Sequence, residues 1–268
     1  MGVSVNLGPW RYVSASVIGS SHQRVGGVCQ DSNVCTVLPS ALNGEVLISV
    51  VADGAGSASQ SAAGSAMACR FISDAAARFV SCARINDLVQ ATVEEWIQGF
   101  QKAVAEQACA DGSTSREYAC TLLTSIVGPD AAVFFQIGDG SIVVADSEEL
   151  NHCHVFWPER GEYENMTFFA TETGFAANLK FENVCRNIVE LAMFSDGLQR
   201  LALDFVKTMP YEPFFRGLFP SVRAMTTDDD GKLNQSLVDF LDSPRVNERT
   251  DDDKTLILAT RVQEVGVQ

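Results

Sequence analysis

The stretch that decides the fold is VLISVVADGAGSAS, residues 46–59. It opens with a run of mostly β-branched residues, which is typical of a strand buried on both faces. The run stops at Asp53-Gly54, and small residues follow. A strand suited to the interior therefore delivers a carboxylate at its end, beside a glycine that allows another backbone to approach closely.

Aspartates stand at the ends of other predicted strands as well. They occur in FQIGDG (residues 135–140, with Asp139), in MFSDG (193–197, with Asp196) and in DDDKTLILAT (251–260, with Asp251, Asp252 and Asp253). A single Asp-Gly pair is a common turn. Strand ends distant in sequence can meet at one edge of a sheet, however, and carboxylates gathered there repel each other unless a cation lies between them. Oxygen ligands favour hard cations such as Mg²⁺ or Mn²⁺.

Composition narrows the class of protein. The chain has 268 residues, 46% of them hydrophobic, with 34 acidic against 19 basic residues and a net charge of -15. That charge disfavours nucleic acid and anionic membrane as partners. The eight cysteines form no C-x-x-C pair, and we find neither a signal peptide nor an apolar run long enough to span a membrane. We therefore expect a reduced, soluble, cytoplasmic protein.

Periodicity predicts strands at both ends of the chain and two long helices between them. The strands are predicted at 10–19, 34–38, 45–52, 119–127, 131–137, 141–145, 188–194 and 255–261. The long helices are predicted at 57–83 and 87–109, the second with a capping box of Asp87 and Gln90, and a short one at 237–242 after a loop at 224–236. This order favours an α+β fold with largely antiparallel sheets. We expect a single domain, 1–268, with a flap-like excursion at about 146–187.

Six motifs in order along the chain resemble the metal-dependent protein phosphatases, the type 2C serine/threonine (PPM-type) family, whose bacterial branch is also resembled by Ser21-His22 and by GEYENMTFF (161–169). The six motifs are CQDS (29–32), VVADGAGS (50–57), YACTLLTSIV (118–127), QIGDGSIVV (136–144), MFSDGL (193–198) and DDKTLIL (252–258). The resemblance covers nearly the whole chain. It implies a four-layer αββα sandwich in which two packed, mostly antiparallel sheets are flanked by helices.

The resemblance also implies an activity and a set of site residues. The activity is hydrolysis of phosphoserine and phosphothreonine in a phosphorylated protein substrate by a water activated between two Mn²⁺ or Mg²⁺ ions. Asp53 would bridge the two ions, and Asp53 and Asp196 would be central to catalysis. The metal ligands implied are Asp31, Asp53, the carbonyl of Gly54, Asp196 and Asp252, with Asp139 at a third, weaker ion. A partner serine/threonine kinase would be a natural source of the substrate.

The chain departs from the family pattern where the phosphate is usually gripped. Gly26 stands at the position where the family usually has an arginine. Arg24 could instead grip the phosphate in a bidentate manner, and His22 could donate a proton to the leaving oxygen. Alternatively, both only line a loop. This departure leaves open a second reading, a phosphatase-fold regulatory or binding protein that is weak or inactive as an enzyme.

A pair of histidines, His152 and His154, flanks Cys153. The spacing would suit a transition-metal clip. Alternation along a strand points both histidines outward equally well, and we expect no metal there.

Overall fold

The computed structural model describes residues 7–146, 151–158, 167–226 and 230–263. Its strands are β1 (Leu7–Val17), β2 (Ser32–Ser40), β3 (Gly44–Ala52), β4 (Leu122–Val127), β5 (Ala132–Ile137), β6 (Ser141–Asp146), β7 (Cys153–His154), β8 (Lys180–Val184), β9 (Ile188–Phe194), β10 (Leu203–Asp204), β11 (Met209–Pro210) and β12 (Lys254–Gln263). Its α-helices are α1 (Ser20–Arg24), α2 (Ser61–Cys82), α3 (Gln90–Ala110), α4 (Gln199–Ala202), α5 (Glu212–Arg223), α6 (Asp230–Leu241) and α7 (Pro244–Asn247).

Two five-stranded sheets form the body of the protein. One has the order β1-β12-β9-β6-β7 and the other β2-β3-β4-β5-β8, and neighbouring strands in both are antiparallel. The β4–β5 hairpin turns at Gly128-Pro129-Asp130, as the sequence predicts. The expected α+β fold with mostly antiparallel sheets is therefore confirmed.

Strand β3 shows why the chain forms layers. Val46, Ile48 and Val50 pack into the core beneath α2 and α3, whereas Leu47 and Val51 pack into the core between the sheets. Because both faces are buried, the strand is apolar at nearly every position. A third core lies under α5 and α6 on the outer face of the other sheet. The order of layers is helices, sheet, sheet, helices, which confirms the expected αββα sandwich.

Two sequence predictions differ from the structure, and a third lies partly outside the described residues. Asp87 ends a short 3-10 helix, Ile85–Asp87, and the residue that precedes α3 is Val89, so the predicted capping box is absent. Helix α6 begins at Asp230, inside the predicted loop. The excursion at 146–187 lies partly outside the described residues, and its described part supplies β7 and β8 to the edges of the two sheets.

The described helices were also compared with the requirements for crossing a bilayer. None of those in the described ranges is both long and apolar enough to do so.

Candidate active site

The strand ends that carry aspartates meet at one end of the two-sheet sandwich. Asp31 precedes β2 and Asp53 follows β3, and these strands pair with Ser32 opposite Ala52. Asp196 lies just beyond β9, whose last residue, Phe194, pairs with both Leu256 of β12 and Ser141 of β6. Antiparallel pairing thus places the end of one strand beside the start of its neighbour, and this brings Asp139 and Asp252 to the same end.

Asp31 is held from the other sheet. Its side chain is buried, and its Oδ2 accepts a hydrogen bond from Ser195 Oγ at 2.7 Å. Ser195 Oγ in turn accepts the backbone N–H of Thr255 at 3.0 Å. The serine of the MFSDG motif and the threonine of DDKT therefore fix a carboxylate that arrives from a distant part of the chain.

Asp53 is fixed through its backbone. Its N–H donates to Thr121 Oγ1 at 2.9 Å, and its carbonyl accepts the N–H of Thr121 at 2.8 Å. A Cβ added to the next residue, Gly54, would lie 2.7 Å from the carbonyl oxygen of Gln30. Only glycine fits this close approach, so the Asp-Gly pair has a steric reason as well as a chemical one.

Asp139 lies in a turn braced by amide side chains. Gln136 Nε2 donates to the carbonyls of Gly138 and Gly140 at 2.9 and 2.8 Å, and the side chain of Gln199 donates to the carbonyl of Asp139. Thr167 Oγ1 donates to Asp139 Oδ2 at 2.8 Å. The turn is thus held from three sides while the carboxylate faces its acidic neighbours.

The carboxylates of the site raise one another's pKa. Burial, followed by the charges of Asp31 and Asp196, holds the pKa of Asp53 well above its ordinary value. Burial is also the main cause that raises the pKa of Asp31 to about 7 and that of Asp196 to about 6, and the charge of Asp139 adds to the effect at Asp196. Such coupling requires the side chains to lie close together in a poorly solvated place.

This donor set fits divalent metal ions. Asp31 Oδ1 and Asp196 Oδ1 are buried and lack a hydrogen-bond partner among the described residues. Buried acceptors of this kind need a positively charged or donating partner. By distance alone, the described residues contain no ready-made group of three metal-ligating side chains. The unpaired oxygens and the shared negative charge of the cluster are what a bound divalent ion would satisfy.

The two residues predicted to handle the substrate lie on α1, beside the carboxylates. His22 Nδ1 lies 3.0 Å from Asp253 Oδ2, and Arg24 Nη2 lies 3.2 Å from Asp251 Oδ2. Arg24 is exposed. Gly26 has φ +69°, and a Cβ there would meet nothing within 4 Å. An arginine at that position would be strained, because side chains other than glycine rarely adopt this backbone conformation.

Sequence reasoning missed Asp253. Its carboxylate is 3% exposed and accepts the N–H groups of Gly19 and Gln30, both at 2.6 Å. The only signal in the sequence is its place in a run of three aspartates, of which the family resemblance implies a role for Asp252 alone.

His152 does not point outward, and that prediction is wrong. Its side chain is 2% exposed, with Nε2 3.0 Å from Glu190 Oε2 and Nδ1 3.3 Å from Glu212 Oε2. The ring stacks against both Phe215 and Phe219 of α5. The histidine thus joins the edge of one sheet to α5, away from the carboxylates at the strand ends.

Comparison with known proteins places this geometry in a class. The family model described as "Protein phosphatase 2C" matches residues 18–242. A curated relative from Escherichia coli (strain K12), serine/threonine-protein phosphatase 3, is 39% identical over 259 residues, which cover 93% of this chain and 98% of the relative.

Solved structures share the fold at low sequence identity. The catalytic domain of the serine/threonine protein phosphatase PstP, in complex with two manganese ions, has a TM-score of 0.61 at 15% identity and covers 96% of this chain and 100% of its own. RsbX in complex with magnesium has a TM-score of 0.56 at 13% identity, with coverage of 96% and 100%.

Fold, site and matches together define a protein phosphatase of the metal-dependent class. The chain belongs to the protein phosphatase 2C family. The family, the fold and the class of enzyme expected from the six motifs are confirmed.

Proposed function

We propose that this protein hydrolyses phosphoserine and phosphothreonine monoesters in phosphorylated proteins, using Mn²⁺ or Mg²⁺. The observation that carries the proposal is the convergence of Asp31, Asp53 and Asp196 from separate strand ends, with two buried carboxylate oxygens that have no hydrogen-bond partner among the described residues. Family membership and the 39% identical phosphatase from Escherichia coli support it.

Different residues of the site would bind the metal ions and the substrate. Asp31, Asp53, Asp196 and Asp252, with the carbonyl of Gly54, would hold two ions, and Asp139 would hold a third. Bound divalent ions supply a water of lowered pKa and offset charge on the phosphoryl oxygens. Arg24 would bind the phosphoryl oxygens, and His22 would pass a proton to the serine or threonine oxygen as its bond to phosphorus breaks. None of these steps requires a covalent enzyme intermediate.

The proposal is tested with a phosphopeptide, Mn²⁺ and two matched variants. We expect the native protein to release phosphate, and Asp53→Asn and Asp196→Asn to lower kcat/KM by about 10³-fold or more, because each removes a ligand charge from the site. Calorimetric titration with Mn²⁺ should show fewer or weaker sites in both variants.

A native protein that is inert with its metals bound would overturn the proposal. It would favour the second function, a regulatory or binding protein, which the glycine at position 26 in place of the family's usual arginine also favours.

We further propose a cytoplasmic location and a partner serine/threonine kinase as the source of substrate. All eight cysteines are free thiols, which agrees with a reducing compartment. We also propose a single domain in which the described part of the excursion at about 146–187 forms a flap beside the cleft, since Thr167 Oγ1 donates to Asp139 Oδ2. Cell fractionation tests the location, and recovery of the protein with the membrane or secreted fraction would contradict it.

A further inference from the structure

Both carboxylate oxygens of Asp253 accept hydrogen bonds from backbone N–H groups. Oδ1 accepts the N–H of Gly19 and Oδ2 accepts the N–H of Gln30, each at 2.6 Å. Oδ2 also lies 3.0 Å from His22 Nδ1, although the pair lacks the alignment of a hydrogen bond. With 3% of its surface exposed, the side chain has little contact with water.

The two N–H groups belong to opposite ends of one connection. Gly19 follows β1 and Gln30 precedes β2, and the segment between them contains α1 with His22 and Arg24. Asp253 therefore closes the segment 19–30 into a ring at its base. The ring ends directly before Asp31, a member of the carboxylate cluster.

The base of the ring is also pressed against the chain that leads into β12. Ser21 N–H donates to the carbonyl of Asp251 at 2.9 Å, and a Cβ added to Gly19 would lie 2.3 Å from the carbonyl carbon of Asp252. The position of α1 is thus set by residues 251–253 rather than by apolar packing, since no residue of α1 is buried.

We propose that Asp253 is a positioning residue for substrate binding: by closing the ring 19–30, it holds His22 and Arg24 beside the carboxylate cluster. This inference rests on the proposed function, in which those two side chains meet the phosphorylated residue. It assigns Asp253 a part distinct from that of Asp252, and no metal ion is required for it.

The chemistry of the site explains why a carboxylate suits this position. Two N–H donors converge on it, and a carboxylate offers an acceptor oxygen to each. An amide of the same shape offers one acceptor and one NH₂ donor, which would face an N–H group. Asp253→Asn therefore releases one end of the ring at nearly constant volume, and Asp253→Leu releases both ends.

The first test measures the ring directly. In the native protein, we expect slow hydrogen exchange at the amides of Gly19 and Gln30, and in Asp253→Asn we expect faster exchange in segment 19–30 but not in β3. Asp130→Asn, an exposed aspartate in the β4–β5 turn, is the matched control and should leave both regions as in the native protein. Fast exchange of these two amides in the native protein would overturn the proposal, and this measurement needs neither activity nor a folded variant.

The second test measures substrate binding. At saturating Mn²⁺, Asp253→Asn should raise KM for a phosphopeptide about tenfold, because Arg24 is released, and should also lower kcat, because His22 is released with it. Because Asp253 acts through the ring, combining it with Arg24→Ala should give less than the product of the two single effects. Fully multiplicative effects, or a lost Mn²⁺ site with unchanged KM, would overturn the positioning role. An inert native protein with a protected ring would contradict the proposed function alone.

Discussion

Neighbouring aspartates in this chain have different surroundings. Asp252 is exposed, whereas Asp253 is buried and fully used by backbone donors. The sequence could place both at a strand end but could not tell which carboxylate faces the site. That choice depends on the alternation of side chains at the start of β12 and on a connection that lies more than two hundred residues earlier in the chain.

Arg24 gives the first prediction at the scale of single residues. Its side chain is exposed on α1 and held by Asp251, so it can turn toward a phosphoryl group at little cost. We expect Arg24→Ala to raise KM for a phosphopeptide about tenfold with kcat less affected, because a bidentate contact to the phosphate is lost. Steady-state kinetics measures this, with the exposed Arg84→Ala as control. An unchanged KM would mean that a residue other than Arg24 binds the phosphate.

Asp139 gives the second prediction at the scale of single residues. It faces Asp196 and accepts the hydroxyl of Thr167. If it serves a third, weaker ion, Asp139→Ala should lower kcat by about tenfold to a hundredfold while the two main ions stay bound. Calorimetry with Mn²⁺ counts the remaining sites. Loss of the two main ions in this variant would show that Asp139 belongs to their ligand set instead.

At the scale of elements, apolar runs made the central strands predictable, and polar contacts caused the errors. β9 was predicted with its observed bounds, Ile188–Phe194, because it is buried throughout. α6 was missed over Asp230–Ser236 because mostly polar residues there give a weak helical pattern. His152 was misjudged because its burial depends on Glu190 and Glu212, which come from other elements.

Two helix glycines provide the third prediction. A Cβ at Gly64 of α2 would lie 2.1 Å from the carbonyl oxygen of Tyr118, whereas one at Gly217 of α5 would meet nothing within 4 Å. We expect Gly64→Ala to destabilise the fold by about 1–3 kcal/mol, because backbone must move. Gly217→Ala should stabilise it by about 0.5–1 kcal/mol through helix propensity. Urea unfolding measures both, and equal effects of the two changes would refute the assigned packing of α2 on residues 115–118.

At the scale of the whole molecule, the site joins the two sheets. Asp31 and Asp53 come from one sheet, and Asp196 and Asp252 come from the end of the other. The sequence predicted that these carboxylates converge, but the resemblance to a family was needed to predict two packed sheets, since local patterns do not specify how sheets stack. Whatever balances the charge of the cluster therefore also stabilises the contact between the sheets.

The last prediction concerns pH and metal together. Burial and neighbouring charge raise the pKa of Asp31 to about 7 and that of Asp196 to about 6 from an ordinary 3.8, so between these values the folded protein binds protons that the unfolded chain has released. These two groups therefore lower the free energy of unfolding as the pH rises from about 4 to 7 when metal is withheld. Mn²⁺ competes with those protons and binds only the folded state, and it adds about 2.7 kcal/mol to the free energy of unfolding at a hundred times its Kd.

We expect melting in EDTA to show a Tm that declines from pH 5 to pH 8, and Mn²⁺ to remove most of that decline. Asp31→Asn, which removes one titrating group, should flatten the curve in EDTA. A Tm in EDTA that rises through this range, or one that Mn²⁺ leaves unchanged at pH 8, would mean that the cluster is not a site where protons and cations compete.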